Sequence, residues 1–333
     1  MAMAMAMAES TVSSSKSLAF ALAVVIVLAA SGARAETAYV SDEQADVVHV
    51  IVAPRWQVAA DIAVGKRPRG MALSADGRRL YVAVSDDNRI DVIDLATRKV
   101  VDTLPSGPDP ERFALSPDGR WLYVANENDN TVSFVDIAAR KIVHEVAVGA
   151  EPEGIAVSPD GRWVICTSES ASLVHFIDTA SATLIDSVLV GTRPRDALFS
   201  ADGSELWVSS ETRATVAIFD MGTRRLRHTI DFDDDPRAPD TVQAVGLARG
   251  HGRAFVALGR GNTVAEVDPD TYAVLRYFKV GFRNWGIGLA PDGSRLYAAN
   301  GLSGDVSVID LSSNRPLVTI RTGGKPWGVV VTP

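Results

Sequence analysis

The stretch GIAVSPDGRWVIC, residues 154–166, combines a short strand of small apolar residues, a Ser-Pro-Asp-Gly corner and a second apolar strand. This corner, or a variant with Ala in place of Ser or Pro, occurs six times, 42 residues apart except for one step of 48, at Asp76-Gly77, Asp118-Gly119, Asp160-Gly161, Asp202-Gly203, a degenerate Gly250-His251 and Asp292-Gly293. A period in this range indicates an array of identical supersecondary units. Residues that recur in every copy are expected to maintain the fold, so function is sought where the copies differ.

Each repeat predicts four short strands. Asp160-Gly161 is expected to form a two-residue primed hairpin turn between the strands Gly154–Ser158 and Trp163–Cys166. A third strand is predicted at Val132–Asp136 and its equivalents, and a fourth strand follows it. No repeat contains a useful length of the 3.6-residue helical pattern. Four strands in about 40 residues are typical of a β-propeller blade.

The two ends of the chain complete one further blade. Residues 37–63 align with a repeat that lacks its first strand, and residues 328–333 align with the first strand of a repeat that then stops. Six whole blades and one shared blade predict an all-β, seven-bladed propeller with four-stranded blades. Pairing of the termini would leave no open sheet edge.

The chain is predicted to have two segments. Residues 1–35 contain Lys16, an apolar run from Leu18 to Ala30 and the small-residue site Ala33-Arg34-Ala35, which is the order of a secretory signal peptide. Cleavage after Ala35 would release the propeller, residues 36–333, into the periplasm. A membrane anchor is the alternative, but the apolar run is short for a bilayer span.

The charge of the mature chain disfavours two classes of partner. Without residues 1–35 the chain retains 31 basic and 40 acidic residues, a net charge of −9. Nucleic acids and anionic membranes attract basic surfaces, so neither is expected to bind this protein.

Most of the carboxylates and the one cysteine are interpreted as structural. An aspartate ends the third strand of every whole repeat, where its side chain can accept backbone N–H groups of the next turn. Cys166 occupies a strand position that holds valine in other repeats, so we predict a small buried residue. The recurring aspartates are Asp94, Asp136, Asp178, Asp220, Asp268 and Asp310.

No metal site or cofactor is predicted. His49 and His175 occupy equivalent positions in well-separated repeats, as do His144 and His228, and none has zinc-ligand spacing. The insertion Asp231–Asp240 begins like a calcium loop, but Pro236 and Val242 stand where glycine and glutamate are needed. A solvated acidic loop is the favoured interpretation, and calcium binding there stays open.

One set of residues differs between blades in an orderly way. A Pro-x-Gly-like segment precedes each innermost strand, and the innermost strands of a propeller surround its central channel. The middle residues of these segments are expected to converge at one channel mouth, either as salt bridges and an aromatic plug or as a binding site for a ligand or partner. They are Arg69, Glu111, Glu153, Arg195, Gln243, Trp285 and Trp327.

The repeats resemble known propeller families. Tyr123-Val124-Ala125-Asn126 and the Ser-Pro-Asp-Gly-Arg corners resemble YVTN-type repeats over residues 37–333. The stretches at residues 67–70, 82–87, 106–111, 175–178 and 205–211 are similar to propellers associated with pyrroloquinoline-quinone (PQQ)-dependent catabolism. That resemblance implies a periplasmic seven-bladed protein that accompanies quinoprotein alcohol dehydrogenases, has no established enzymatic activity, and carries similar residues at the channel mouth.

Two functional hypotheses remain open. The first is a non-catalytic binding or accessory module of a quinoprotein pathway, with a quinoprotein dehydrogenase, another pathway component or a small polar ligand as partner. The alternative is a lactonase-type hydrolase, which the same scaffold can host. The sequence contains no phosphate loop, nucleophile elbow or Ser/His/Asp set outside the repeating positions. Histidines and carboxylates together at one channel mouth would favour the hydrolase.

Overall fold

The computed structural model describes residues 36–333, and the predicted signal peptide lies outside the described residues. The described chain forms seven four-stranded antiparallel sheets, which confirms the all-β seven-bladed propeller. In this part of the chain no helix is long and apolar enough to cross a membrane.

The first fifteen strands in chain order are β1 (Thr37–Asp42), β2 (Val47–Val52), β3 (Gln57–Ala63), β4 (Pro68–Leu73), β5 (Arg79–Val84), β6 (Arg89–Asp94), β7 (Lys99–Pro105), β8 (Pro110–Leu115), β9 (Trp121–Asn126), β10 (Thr131–Asp136), β11 (Lys141–Ala147), β12 (Pro152–Val157), β13 (Trp163–Ser168), β14 (Leu173–Asp178) and β15 (Thr183–Leu189). The other thirteen are β16 (Pro194–Phe199), β17 (Glu205–Ser210), β18 (Thr215–Asp220), β19 (Arg225–Asp231), β20 (Leu247–Gly250), β21 (Arg253–Ala257), β22 (Thr263–Val267), β23 (Val274–Lys279), β24 (Asn284–Leu289), β25 (Arg295–Asn300), β26 (Asp305–Asp310), β27 (Arg315–Arg321) and β28 (Pro326–Thr332). Single-turn 3-10 helices occupy Ser85–Asp87 and Glu127–Asp129.

Each sheet is one blade. Blades 1 to 6 are β4–β7, β8–β11, β12–β15, β16–β19, β20–β23 and β24–β27, and the split blade is ordered β28-β1-β2-β3. The first strand of each whole blade is innermost, and β28 takes that place in the split blade. The inner strand of blade 5, β20, is short, and the insertion Asp231–Asp240 precedes it in the chain.

The termini close the ring as the sequence predicts. Strand β28 pairs antiparallel with β1, with Thr332 opposite Thr37 and Val330 opposite Tyr39. Val331 is buried in an apolar cluster that also contains Tyr297 of blade 6. The last eight residues are therefore structural, because they supply both a sheet edge and part of an inter-blade core.

Apolar side chains fill the spaces between neighbouring blades. Between blades 3 and 4, for example, Phe176 and Phe219 meet edge to face with ring centroids 6.2 Å apart. Cys166 is fully buried between blades 2 and 3, and burial raises the pKa of its thiol. The prediction of a buried cysteine is confirmed.

The corners differ from the predicted two-residue turn. In blade 3 the last hydrogen bond between the first and second strands runs from Ser158 N to Trp163 O at 2.9 Å. The loop between these two strands therefore has four residues. Gly161 N donates to Ser158 O, and only Gly161 has a positive φ, of 73°. The predicted primed turn is therefore wrong there: glycine ends a type I turn instead of sharing a primed turn with aspartate.

The degenerate corner of blade 5 is the one that contains a two-residue turn. Gly250 pairs with Arg253, and His251 and Gly252 both have positive φ, of 53° and 69°. The turn thus lies one residue later than the sequence suggested, at His251-Gly252. Two consecutive left-handed residues are what a type I′ hairpin requires.

The recurring aspartates cap turns as predicted. Asp136 Oδ1 accepts the backbone N–H of Ala139 at 2.8 Å, and Asp178 Oδ1 accepts that of Ser181 at 2.9 Å. These hydrogen bonds stabilise the carboxylate form and lower the pKa of both side chains.

The antiparallel strands give the propeller two unlike faces. One, the corner face, carries the Asp-Gly corners and the turns after the third strands. The other, the mouth face, carries the loops that lead into the inner strands and the loops between the second and third strands.

The equivalent residues His49 and His175 have opposite electrostatic environments. His49 Nδ1 donates to Asp61 at 2.7 Å, and Nε2 lies 3.3 Å from Asp42. Burial alone would lower its pKa, but the two carboxylates outweigh burial and raise it. His175 instead accepts Gly149 N–H at Nε2, and burial lowers its pKa to about 4.

We expect deletion of Pro326–Pro333 to lower the melting temperature by about 10 °C or more, or to prevent folding. The deletion exposes the edge of β1 and removes Val329 and Val331, each worth roughly 1.5 to 3 kcal/mol when buried. Deletion of Pro333 alone, which is exposed beyond β28, is the control. Calorimetry that finds both truncated proteins within about two degrees of the intact one would contradict closure by β28.

The two histidines should give opposite pH dependences of stability. A raised folded-state pKa means that His49 stabilises the protein below its unfolded pKa near 6.5 and loses this effect as pH rises through the folded value. A lowered pKa means that His175 loses its effect as pH falls from 6.5 towards about 4. The free energy of unfolding would be measured by denaturant from about pH 4 to about pH 9 for the intact protein, His49→Asn and His175→Asn. The stability lost in His49→Asn should decrease as pH rises, and the stability lost in His175→Asn should increase, so the two differences have opposite slopes. Slopes of the same sign would refute the opposite pKa shifts of the two histidines.

Candidate functional site

Six of the seven residues predicted at the channel mouth meet in two groups of three. The seventh, Gln243, is connected to the second group through Arg283. In the first group, Arg69 Nη1 lies 3.0 Å from Glu111 Oε2, and the Arg69 guanidinium stacks 5.3 Å from the Trp327 ring centroid. These three side chains come from blade 1, blade 2 and the split blade. Residues more than 200 positions apart in the sequence therefore touch at the channel.

The second group lies on blades 3, 4 and 6. Arg195 Nη2 lies 3.2 Å from Glu153 Oε1, and the same guanidinium stacks 5.2 Å from Trp285. Gln243 is linked to this group through Arg283, which donates to Gln243 and stacks 4.1 Å from Trp285.

Most of these side chains are buried. Glu111 is fully buried, and Glu153, Arg195 and Trp327 are exposed by 3%, 6% and 3%. The ring thus combines both expectations from the sequence: its charged members pair with each other, while Trp327 packs beneath arginines. A cavity of about 240 Å³ nevertheless remains at the mouth, here called the mouth pocket. It is lined by Glu43, Arg67, Arg69, Glu111, Glu127, Glu151, Glu153, Glu169, Arg193, Arg195 and Trp285.

Sequence reasoning missed six of these eleven lining residues. Arg67, Glu151 and Arg193 lie two residues before the predicted ring, at positions with φ between 54° and 57°. This left-handed conformation turns each loop towards the inner strand. Glu127 and Glu169 follow the second strands of blades 2 and 3. Both sets recur with the 42-residue period, so the same alignment of repeats could have identified them.

The added residues extend the ion-pair network. Arg67 Nη1 and Nη2 lie 2.7 Å from Asp109 and Glu111, respectively. Arg195 pairs with Glu169 as well as Glu153, and Arg193 shares Glu169.

Carboxylates outnumber guanidinium groups in the mouth pocket, and the titration of two of them reflects this. Burial raises the pKa of Glu111, and the charge of Glu153 raises it further against the opposing effect of Arg69 and Arg67. Burial raises the pKa of Glu127 too, against a hydrogen bond with Glu111 that lowers it, and the charges of Glu153 and Asp109 raise it further.

Below the mouth the channel is filled by side chains. Arg112 Nη1 lies 3.2 Å from Asp196 Oδ1, and the Arg112 guanidinium stacks 4.7 Å from Trp327. Asp196 also accepts the backbone N–H of Leu247 at 2.9 Å. A Cβ at Gly154 would lie 2.8 Å from Arg195 O, which shows how closely the inner strands approach. The mouth pocket is therefore a closed-ended depression.

The histidines and the acidic loop lie elsewhere. His49 is held between Asp42 and Asp61 within the split blade, and no histidine lines the mouth pocket in residues 36–333. In the loop Asp231–Asp240, Asp235 binds the Arg237 side chain and accepts the Tyr277 hydroxyl at 2.8 Å.

We expect Arg195→Ala to lower the free energy of unfolding by about 3 to 5 kcal/mol, because it leaves buried carboxylates without a counter-charge. The matched control is Arg193→Ala, which removes a guanidinium from the same Glu169 but has a side chain 45% exposed. Its cost should stay below about 1 kcal/mol. Urea denaturation that gives equal costs would show that Arg195 is not a buried structural charge. Tests of binding should therefore use the more exposed residues of the pocket.

Comparison with known proteins finds several solved structures with a similar fold. No curated protein matches the chain. The chain is similar to a functionally unknown protein from Desulfotomaculum acetoxidans, with 14% identity and a TM-score of 0.75, covering 89% of this chain and 98% of that one. A protein from Lactobacillus plantarum shows 16% identity, a TM-score of 0.76 and coverage of 90% and 100%.

A third similar structure is an enzyme. Hydrazine synthase of Kuenenia stuttgartiensis shows 20% identity and a TM-score of 0.70, covering 79% of this chain and 89% of that one. Identities this low show a shared fold alone. The model of one family matches residues 4–333, nearly the whole sequence. This chain belongs to the YNCE-like beta-propeller family.

Proposed function

We propose that this protein is a non-catalytic binding or accessory module of PQQ-dependent alcohol catabolism in the periplasm. The observation that carries the proposal is the mouth pocket, where charged side chains from several blades surround a cavity of about 240 Å³. Charged and aromatic groups gathered in a concavity are typical of polar ligand and partner recognition.

The arrangement of the pocket supports binding because its side chains are held in place before a partner arrives. Glu111 is held by Arg67 and Arg69, and Arg195 is held by Glu153 and Glu169. Side chains already fixed by such contacts lose little conformational entropy on binding.

The choice of pathway is supported by the resemblance of residues 67–70, 106–111 and 205–211 to propellers associated with PQQ-dependent catabolism. The first two of these stretches contain Arg67, Arg69, Asp109 and Glu111 of the mouth network. The favoured partner is thus a quinoprotein dehydrogenase or another component of the same pathway.

A pull-down tests this proposal directly. Purified protein would be immobilised and exposed to periplasmic extract from cells grown on an alcohol, and bound proteins would be identified by mass spectrometry. The double variant Glu151→Ala, Arg193→Ala removes one charge of each sign from the mouth. We expect the double variant to retain roughly tenfold less of a quinoprotein dehydrogenase than the intact protein, because removal of a binding hot spot weakens binding by at least this factor.

The matched control is Glu145→Ala, Arg162→Ala, which removes the same charges from a fourth strand and the corner face. It should bind like the intact protein, and all three proteins should have equal melting temperatures. Binding to the purified dehydrogenase would then be measured by calorimetry. Equal retention of the dehydrogenase by the mouth and control variants, or none by the intact protein, would refute the proposal.

A further inference from the structure

We propose that a cavity between blades 2 and 3, on the corner face, binds a small single-ring aromatic molecule that carries a hydroxyl or amino group. The cavity has a volume of about 410 Å³, which is typical of small-molecule sites, and is here called the corner pocket. This inference goes beyond the proposed function, because the corner pocket and the mouth pocket lie on different faces of the propeller.

The first observation is a side chain that other blades have at this place and blade 3 lacks. In every blade one residue of the turn between the third and fourth strands has a positive φ, between 49° and 62°. These equivalent residues are Trp56, Arg98, Arg140, Ala182, Arg224, Tyr272 and Asn314. Five of them contact a side chain of the preceding blade. In blade 3 the residue is Ala182, whose side chain ends at Cβ and cannot reach as far.

Two of the equivalent side chains show what kind of group fits there. Tyr272 of blade 5 lies against blade 4, where its ring stacks on His228 with centroids 4.9 Å apart and its hydroxyl donates to Glu205. Trp56 of the split blade lies against Tyr297 of blade 6, with ring centroids 6.3 Å apart. In blades 4 and 6 an aromatic ring from the next blade therefore occupies the equivalent space.

The corner pocket keeps the partners of such a ring. His144 lines it and is the equivalent of His228, two repeats earlier in the sequence. Trp121 and Phe134 line the same cavity. Aromatic rings attract one another in stacked and edge-to-face arrangements, so these walls favour an aromatic occupant.

A buried hydroxyl without a partner indicates that the occupant is also polar. Tyr123 lines the corner pocket and is only 3% exposed, yet its hydroxyl forms no hydrogen bond with any residue in 36–333. The equivalent hydroxyl of Tyr297 donates to Glu36. Burial and the charge of Asp118 raise the pKa of Tyr123 to about 12, so the hydroxyl stays protonated. Such a buried group is costly unless a further polar group satisfies it.

The charges of the lining select among aromatic ligands. Asp118 and Asp160 line the corner pocket, whereas no lysine or arginine does. Both carboxylates use Oδ1 for the hydrogen bonds of their own corners, with Ser116 and Ser158, respectively. Their Oδ2 atoms can accept a hydrogen bond from a ligand hydroxyl or amino group, and both charges repel a ligand carboxylate.

Ligand-observed NMR with 4-methylphenol, which has the ring and hydroxyl of a tyrosine side chain, tests this inference. We expect a dissociation constant on the order of 1 mM or tighter, as suits a ligand of this size. Cyclohexanol, which is similar in size but not aromatic, should bind at least roughly fivefold more weakly. Tyramine should bind more tightly than 4-hydroxybenzoate, because the lining is acidic.

Ala182→Tyr should abolish binding of 4-methylphenol, because the new ring would fill the corner pocket. It should fold, since Tyr272 has the same left-handed backbone conformation at the equivalent position. The matched control is Arg98→Tyr, which places the same side chain in the equivalent turn of blade 1 and should leave binding unchanged. His144→Ala removes an exposed ring of the lining and should weaken binding roughly fivefold.

Melting temperatures would establish that each variant is folded, and His144→Ala alone decides if Ala182→Tyr does not fold. Three results would overturn the inference. They are the absence of 4-methylphenol binding to the intact protein, equal affinities for 4-methylphenol and cyclohexanol, and unchanged binding in His144→Ala or in folded Ala182→Tyr.

Discussion

The pairing of β28 with β1 is the contact on which the rest of the structure depends. The inner strands approach one another so closely at the channel that Gly154 has no room for a side chain against blade 4. Such packing holds only while all seven blades complete the circle, because a blade contacts mainly its neighbours and an open ring exposes apolar surface at two ends. The Arg69–Trp327 stacking joins blade 1 to the C-terminal strand, so closure also builds part of the mouth.

Different side chains perform the same structural task in successive blades. In four of the seven blades the loop that leads into the inner strand presents a backbone N–H to a polar side chain: Gly65 N donates to Asp91, Gly107 N to Asn126, Gly149 N to His175 and Lys325 N to Asp42. A buried N–H must be satisfied, but any acceptor of suitable length suffices. His175 is therefore a structural acceptor, whereas the pKa of His49 is raised because its ring meets two carboxylates instead.

The mouth combines rigidity with an unbalanced charge. Buried ion pairs contribute little net stability compared with apolar packing, yet removal of one partner is costly. Such a network at a channel mouth is better explained by the precise placement of its groups than by stability. Around Arg195 the charges are paired with Glu153 and Glu169, whereas Glu127 forms no ion pair with any described residue.

The number of blades, the four-stranded repeat, the closure by both termini, the capping aspartates and the buried Cys166 could all be predicted from the sequence, because each follows from local patterns repeated at a fixed period. The sequence also identified seven residues of the mouth, since equivalent positions must lie on one circle. The contacts between these seven residues, their burial and the further residues that line the mouth pocket could be read only from the folded structure. Arg67 and Glu127 are polar residues in loops, and only the alignment of the repeats, not their neighbours in the sequence, could distinguish them from solvated charges. The contacts of Glu111 with Arg67 and Arg69 exist because two blades press their loops together, and that packing determines its burial and its raised pKa.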